Sequence, residues 1–365
     1  SRRGGLWKYR ELLPIENEKN IVTLGEVQTP LVPCENLGKT LGLRHLYVKD
    51  ETKSPTASFK DRPMTVGVSK AVELGFDTLV SASSGNAAAA LAAYSARASL
   101  TCYTFVPEMV SPGKIAQLNI FGAHVVRLRG LESGVDPTVT MLKLVCKQFG
   151  WYPCPSFGAF NPYQAEGPKT MSYEIAEQLG WSTPDWVFAG VGGGGLLAGN
   201  WKGYQELKRL GLAEDTPSMV AVQSTGCAPV VRAFEEKMDP HNIVPWEHPD
   251  SVATGLMDPF PWDGDAALEA LNESSGTAVK VTNEEILDGQ RILAKNEGIF
   301  AEPSGVTALA GLLKLRNEGK IASDDRVVVE ITGSGLKDLN VIGAAEAPLI
   351  DPTIEALEKV LSLKR

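Results

Sequence analysis

Lys60 stands in the run Pro55-Thr56-Ala57-Ser58-Phe59-Lys60-Asp61-Arg62, a primary amine placed after an aromatic ring and between a hydroxyl pair and an Asp/Arg pair. Ser83-Ser84-Gly85-Asn86 follows, then Gly192-Gly193-Gly194-Gly195, and later Thr332-Gly333-Ser334-Gly335. A lysine amine is the nucleophile that captures an aldehyde as a Schiff base. Four glycines at the start of a helix let a ligand approach the backbone, and the free N–H groups and positive dipole end there suit a phosphate. Ser-Ser-Gly-Asn in the same setting suits a substrate carboxylate. Read singly, each has a plainer meaning: a solvated surface lysine, a tight packing turn, a turn with a cap, the close of a strand. Read jointly, an active amine, two anion sites and a polar group for a ring nitrogen are what pyridoxal phosphate requires.

These residues need strand ends and helix starts to carry them. Leu79–Ala82 reads as a strand, 86–98 as a helix, Leu100–Val106 as a strand, and Lys114–Phe121 as a helix. Val125–Leu128 is the next strand and 137–149 the next helix. The same cadence resumes with a helix over Lys169–Leu179, a strand over 186–190, a helix over Leu196–Arg209 and a strand over Met219–Gln223. Asn283–Asn296 reads as a helix capped by Thr282 with Glu285 three residues on, Ser304–Glu318 as a helix capped by serine, and 326–331 as a buried strand. Alternating strands and helices predict parallel sheets with helices on both faces, an α/β fold. The glycine-bearing turns then fall at strand carboxyl ends, where ligands of open sheets bind. A Pro- and aromatic-rich break over residues 150–165 reads as a crossing between lobes. The irregular span 245–265, with Pro245, Pro249, Pro259 and Pro261, is long enough to read as a functional loop.

A chain of 365 residues exceeds one small core, so two lobes are expected. The formal net charge is −9 with no Lys/Arg cluster, which argues against a nucleic-acid partner. Five scattered cysteines without a paired spacing read as reduced thiols in a cytoplasmic setting, and the four histidines have no metal-ligand spacing, so no metal is expected. No apolar run is long enough to span a bilayer, and the N-terminus lacks the apolar core of a secretory signal. Beyond Asp338 there is room for about one helix, which speaks against an added regulatory module.

With these motifs in view, the chain resembles the fold-type II pyridoxal-phosphate enzymes of the threonine synthase and serine/threonine dehydratase group, a tryptophan synthase β-like fold. The likeness runs from about Leu6 to Asp338. It rests on Ser58–Arg62, Ser83–Asn86, Glu166-Gly167-Pro168-Lys169-Thr170, the Gly192 loop, Glu297-Gly298-Ile299-Phe300-Ala301-Glu302-Pro303 and Thr332–Asp338. In overall wording, as in Gly5-Leu6-Trp7-Lys8-Tyr9-Arg10, it is most similar to threonine synthases. The resemblance implies a large cofactor-binding domain from 1–60 and 160–365 and a smaller mobile domain over 61–159. It implies that Lys60 holds the cofactor and moves the α-proton, that Ser84 shares the catalytic work, and that Asn86 bonds the phenolic oxygen. Gly192, Gly193, Gly194 and Gly195 would bind the phosphate, Thr332 would face the pyridine nitrogen, and Phe59 would pack by the ring, with Glu302 a lesser neighbour. Ser83, Ser84, Gly85, Ala87, Ala159 and Gln164 would line the substrate space. A homodimer is expected on the same ground.

Departures from the family bear on the reaction. Where threonine synthases place two hydroxyls, an amide and an arginine around the substrate phosphate, this chain has Ala87, Ala159, Gly158 and Gln164. A buried dianion without its arginine is poorly matched. The glycine loop, Ser83-Ser84 and Ser334 resemble the dehydratases. Either the substrate has changed, or the phosphate site is rebuilt from Arg127, Arg129 or Lys114. The expected activity is lyase chemistry on an L-amino acid, β-elimination of a hydroxy amino acid such as threonine or serine. Threonine synthase, β-replacement and a non-catalytic cofactor binder are the alternatives. Phe157, Phe160, Tyr163, Phe260 and Trp262 are candidate apolar lining. Ala57, where the family carries glycine, has no functional account in the sequence, and Pro63 suits a first helical turn.

Overall fold

The computed structural model describes residues 4–130, 135–339 and 347–362. Among the described residues, ten strands form two sheets: β1 (Leu31–Pro33), β2 (His45–Asp50), β3 (Thr78–Ser81), β4 (Thr101–Pro107), β5 (His124–Leu128), β6 (Tyr152–Pro153), β7 (Trp186–Gly190), β8 (Ser218–Ser224), β9 (Thr277–Val281) and β10 (Arg326–Ile331). The larger sheet has the order β1-β2-β10-β7-β8-β9 and the smaller β5-β4-β3-β6. Among the strands of the described residues, β1 against β2 is antiparallel and every other strand pair is parallel. The helices between strands are α1 (Glu35–Leu41), α2 (Asp61–Glu73), α3 (Asn86–Ala98), α4 (Pro112–Ile120), α5 (Pro137–Phe149), α6 (Thr170–Gln178) and α7 (Gly195–Arg209). Next come α8 (Pro229–Glu235), α9 (Gly264–Glu273), α10 (Asn283–Glu297), α11 (Pro303–Asn317) and α12 (Ile354–Ser362).

Side chains alternate across each buried strand, and the two faces meet different helices. Val327, Val329 and Ile331 of β10 join Val220 and Val222 of β8 in a core shared with α10 and α11. Val328, with Met219 and Ala221 of β8, joins the opposite core beneath α6, α7 and α9. The smaller sheet repeats the arrangement: Leu79 packs with α2 and α3, while Val80 packs with Leu142 and Val145 of α5. Parallel strands covered on both sides explain why these segments read as continuous apolar runs.

Expectation and structure agree closely where such runs exist. The segments 86–98, 137–149, 186–190 and 326–331 are elements with those bounds. Thr282 and Glu285 form the reciprocal capping box at the start of α10. The serine cap assigned to Ser304 is corrected: α11 starts at Pro303 with Glu302 at the cap position, and the Ser304 hydroxyl instead accepts from Gly255 N at 2.9 Å. That bond ties the 245–265 segment to the larger sheet's helix layer.

One buried polar cluster fixes the start of α2, and thereby Lys60. Arg62 Nε and Nη2 donate to Glu51 at 2.9 and 2.7 Å, and Nη1 and Nη2 donate to Glu174 at 3.0 and 2.7 Å. Lys49 Nζ donates to Glu174 at 2.7 Å and to Thr29 O at 2.7 Å. The four side chains are essentially solvent-free. A planar guanidinium that meets two carboxylates at once is the arrangement that makes buried charge tolerable. Gly167 lets the chain entering α6 run against the backbone of Arg62 and Pro63; a Cβ there would stand 2.6 Å from Pro63 N.

Candidate active site

Three turns leave the carboxyl ends of β3, β7 and β10 and converge on Lys60. The Lys60 loop is laced to the β10 turn by main-chain bonds: Phe59 N donates to Thr332 O at 2.9 Å and Ser334 N to Ala57 O at 3.0 Å. Ala57 sits at φ +61°, in the left-handed region that favours glycine. Lys60 Nζ lies 4.7 Å from the centre of the Phe59 ring and donates to Ser156 Oγ at 2.8 Å. Burial lowers its pKa to about 8, against the opposing pull of Asp263 and Asp258. An amine so shifted holds a useful neutral fraction near neutrality, the form that attacks an aldehyde.

The glycine loop opens α7 with Gly194 at φ +102° and no side-chain cap. Among the described residues, the N–H groups of Gly193, Gly194 and Gly195 donate to no protein acceptor. Side chains would not fit here. A Cβ on Gly193 would stand 2.7 Å from Phe157 Cε1, and one on Gly195 2.7 Å from Asp263 Oδ2. Open donors in a cradle that excludes Cβ atoms fit a cofactor phosphate. Asn86 and Thr332 complete the fit from either side of Lys60. Asn86 Nδ2 donates to Glu302 at 2.6 Å, and Glu302 N donates to Gly333 O at 3.0 Å, so the β3 and β10 turns are held together. A Cβ on Gly333 would collide with the Glu302 carboxylate. Burial holds the Glu302 carboxyl above the usual range.

Two adjoining cavities meet at Lys60. One is lined by Phe59, Lys60, Ser156, Gln164 and Gly192–Gly195 among others. The second and larger holds Phe59, Lys60, Ser83–Ala87, Gly193, Thr332 and Glu302. The structure thus gathers Lys60, Phe59, Ser83, Ser84, Gly85, Asn86, Ala87, Gln164, Gly192, Gly193, Gly194, Gly195 and Thr332 around one amine. Ala159 is not among them. It faces a separate outer groove with Pro162 and Trp262, and its N–H donates to Asp263 at 3.1 Å. Gln164 lines the inner cavity, but with its amide oxygen turned to satisfy the backbone it accepts from Ser156 N and Phe157 N. It braces the segment that holds Ser156.

Of the three cations considered for a rebuilt phosphate site, Lys114 lines the second cavity, while Arg127 and Arg129 are exposed and Arg127 bonds Glu108 O. Phe157 and Trp262 line that cavity; Phe160 packs edge-on against Trp262 with ring centres 5.2 Å apart. Tyr163 lies outside both cavities, under Lys70. Residues the sequence did not single out are Ser156, Asp258 and Asp263. Burial pushes the Asp258 carboxyl up to about 7 and raises that of Asp263. Asp263 accepts from Gly158 N and Ala159 N, at 3.0 and 3.1 Å. For the two acids the only signal was the Pro-rich 245–265 span, as a loop.

A family model described as "Pyridoxal-phosphate dependent enzyme" matches residues 22–333. A curated relative named "Threonine synthase" from Methanocaldococcus jannaschii is 42% identical over 99% of this chain and 88% of its own length. Among solved structures, a threonine deaminase of T.th. superposes with a TM-score of 0.68 at 25% identity, covering 88% of this chain and 94% of that one. The processed form of threonine deaminase isoform 2 from Solanum lycopersicum gives 0.70 at 23% identity over 92% and 83%, a likeness of fold.

Proposed function

We propose that this chain, which belongs to the pyridoxal-phosphate dependent enzymes and is a lyase of that family, removes the β-hydroxyl of an L-hydroxy amino acid such as threonine or serine, yielding a 2-oxo acid and ammonia. The charge of the cleft carries this reading. Asp136, Asp258 and Glu302 line the larger cavity, and its cations are Lys60 and Lys114. A phosphorylated side chain needs clustered, well-aimed cations, and each unpaired buried charge costs several kcal/mol, of the order of 3–5. An uncharged hydroxyl meets no such penalty here.

In this reading Lys60 holds the cofactor by its amine, the N–H groups of Gly192–Gly195 receive its phosphate, Asn86 its phenolic oxygen and Thr332 its ring nitrogen. When bound, the cofactor supplies an electron sink that acidifies the substrate's α-proton. Lys60 would take that proton at Nζ. The Ser83-Ser84-Gly85 turn would orient the substrate carboxylate at the start of α3, with Ser84 sharing the catalytic work. Phe157 and Trp262 add apolar lining to the cavity. Closure of a small lobe, residues 61–159, over the larger one, and a homodimeric assembly, complete the proposal.

A second reading is favoured by the curated relatives, threonine synthase acting on O-phospho-L-homoserine. Incubating the cofactor-loaded enzyme with L-threonine, L-serine and O-phospho-L-homoserine separates the two. Release of 2-oxo acid and ammonia from the first two supports elimination; rapid threonine formation from the third replaces it with the synthase reading.

A further inference from the structure

We infer that Ser156 is the positioning residue for the Lys60 amine, its hydroxyl holding Nζ by one N–H in the cleft whenever that amine is not engaged by the cofactor. The inference rests on Lys60 as the amine that holds the cofactor, and it is independent of which reaction the loaded enzyme performs.

The contact is specific. Among the described residues, the hydrogen bond of Lys60 Nζ goes to Ser156 Oγ, at 2.8 Å. Asp263 and Asp258 act on the amine through charge, without a hydrogen bond to it. The face of the Phe59 ring lies 4.7 Å from Nζ. A lysine end ordinarily turns freely through many rotamers. One N–H fixed on an oxygen, with an aromatic face alongside, restricts this one to the junction of the two cavities that Lys60 lines. An amine attacks an aldehyde with its nitrogen lone pair, and the aldehyde oxygen leaves as water with both amine hydrogens. A neutral hydroxyl acceptor leaves the amine able to lose its charge; a carboxylate in its place would hold the ammonium form.

The backbone at 156 is a second, independent observation. Ser156 sits at φ +73°, directly after Pro155. A positive φ after a proline is where turns take glycine. Serine there stores backbone strain, which persists where the surroundings enforce it and marks sites of function. The Ser156 and Phe157 N–H groups donate to the Gln164 amide oxygen. Gln164 is fully buried; its own N–H donates to Asn161 Oδ1 at 3.2 Å, and Asn161 Nδ2 donates to Pro153 O at 2.8 Å. Gly67 of α2 closes against it, since a Cβ there would stand 3.1 Å from Gln164 Cβ. Ser156 Oγ therefore rides on a braced turn, at the price of a glycine, and Lys60 is its partner.

The test mixes cofactor-free wild type, Ser156→Ala and Ser156→Gly with pyridoxal phosphate and follows the rate of colour formation against cofactor concentration and pH. Both variants are expected to lower the limiting rate about tenfold, while the half-saturating concentration, set by the glycine cradle, changes less than about twofold. The inflection of rate against pH stays at about 8, because burial and the charges of Asp263 and Asp258 set it. Lys114, Asp136 and Glu302, the other charged groups of the larger cavity, are untouched. Ser156→Gly is expected to melt above Ser156→Ala, because glycine adopts the left-handed backbone without strain. Slow capture in the more stable variant then places the loss in the hydroxyl. Capture at the wild-type rate in either variant overturns the inference, as does a loss confined to the half-saturating concentration. Slow capture whose inflection moves toward 10.5, the mark of a cleft opened to water, overturns it too. If borohydride fixes the wild-type label on a peptide other than the one carrying Lys60, the reading of Lys60 itself falls, and this inference with it.

Discussion

Position 57 shows how one residue can carry the strain of a site. Ala57 is held at φ +61° because its carbonyl must accept from Ser334 N while the next residues turn Lys60 into the cleft. A left-handed alanine costs about 1–2 kcal/mol, and glycine gives back about 0.4–1 kcal/mol through unfolded-chain entropy, so Ala57→Gly is expected to stabilise the protein by about 0.5–1 kcal/mol. Urea unfolding measures it; a destabilised variant would show that the strain is absorbed elsewhere. Lys60 offers a second measurement. Its pKa is lowered from the usual lysine value to about 8, so the neutral amine is scarce below that pH and dominant above it. Mixing the cofactor-free protein with pyridoxal phosphate should therefore give a rate of colour formation that rises about tenfold from pH 7 to pH 9 and then levels. A rate still climbing toward pH 10.5 would mean an unshifted amine. Lys60 is legible in the sequence because its neighbours form a contiguous run. Asp258 is not, since nothing local to Met257-Asp258-Pro259 distinguishes a cleft acid from a solvated turn; only folding brings it to Gly193.

At the scale of elements, the start of α2 and the glycine loop before α7 do the positioning. Arg62 bridges Glu51 after β2 to Glu174 in α6, and removing the guanidinium leaves two buried carboxylates with Lys49 as their cation. Arg62→Met is expected to cost about 3–5 kcal/mol by denaturant unfolding and to weaken cofactor retention, because Lys60 immediately precedes this helix. A near-neutral result would mean that apolar packing replaces the cluster. Gly194 stands at φ +102°, and a Cβ there would collide with the Asp263 carbonyl. Gly194→Ala should weaken pyridoxal phosphate at least about tenfold in an absorbance titration, with Lys60 still reactive. The same elements show what a sequence conceals. Strands β7 and β10 are readable to the residue because each holds a short apolar run buried on both faces, Val187-Phe188-Ala189 and Val327-Val328-Val329. Strand β2, His45-Leu46-Tyr47-Val48-Lys49-Asp50, does not stand out in the sequence, because its charged end is buried in the ion cluster rather than exposed. The motif would put Ala159 at the substrate; the chain between Phe157 and Asn161 instead turns its N–H to Asp263 and its side chain outward.

Over the whole molecule, the site is a seam between two sheets, and the cofactor should act as their fastener. Asn86 and the Ser83-Ser84-Gly85 turn come from the smaller sheet, whereas Lys60, the glycine loop and Thr332 attach to the larger one. Across the seam the direct polar ties at the amine are few: Lys60 to Ser156 at 2.8 Å and Asn86 to Glu302 at 2.6 Å. A ligand that binds only the folded state raises stability by RT ln(1 + [L]/Kd), about 2.7 kcal/mol at 100 times Kd. Pyridoxal phosphate should therefore raise Tm progressively with its concentration in wild type. Lys60→Ala keeps the glycine cradle, Asn86 and Thr332 but loses the covalent hold, so its Tm should respond only at much higher cofactor concentration. Reduction with borohydride should fix the label on the peptide carrying Lys60 in wild type and on none in Lys60→Ala. If Lys60→Ala gained the same Tm shift at the same concentration, the cofactor would be held by the cradle alone. The convergence of three turns on this amine would then serve proton transfer rather than retention.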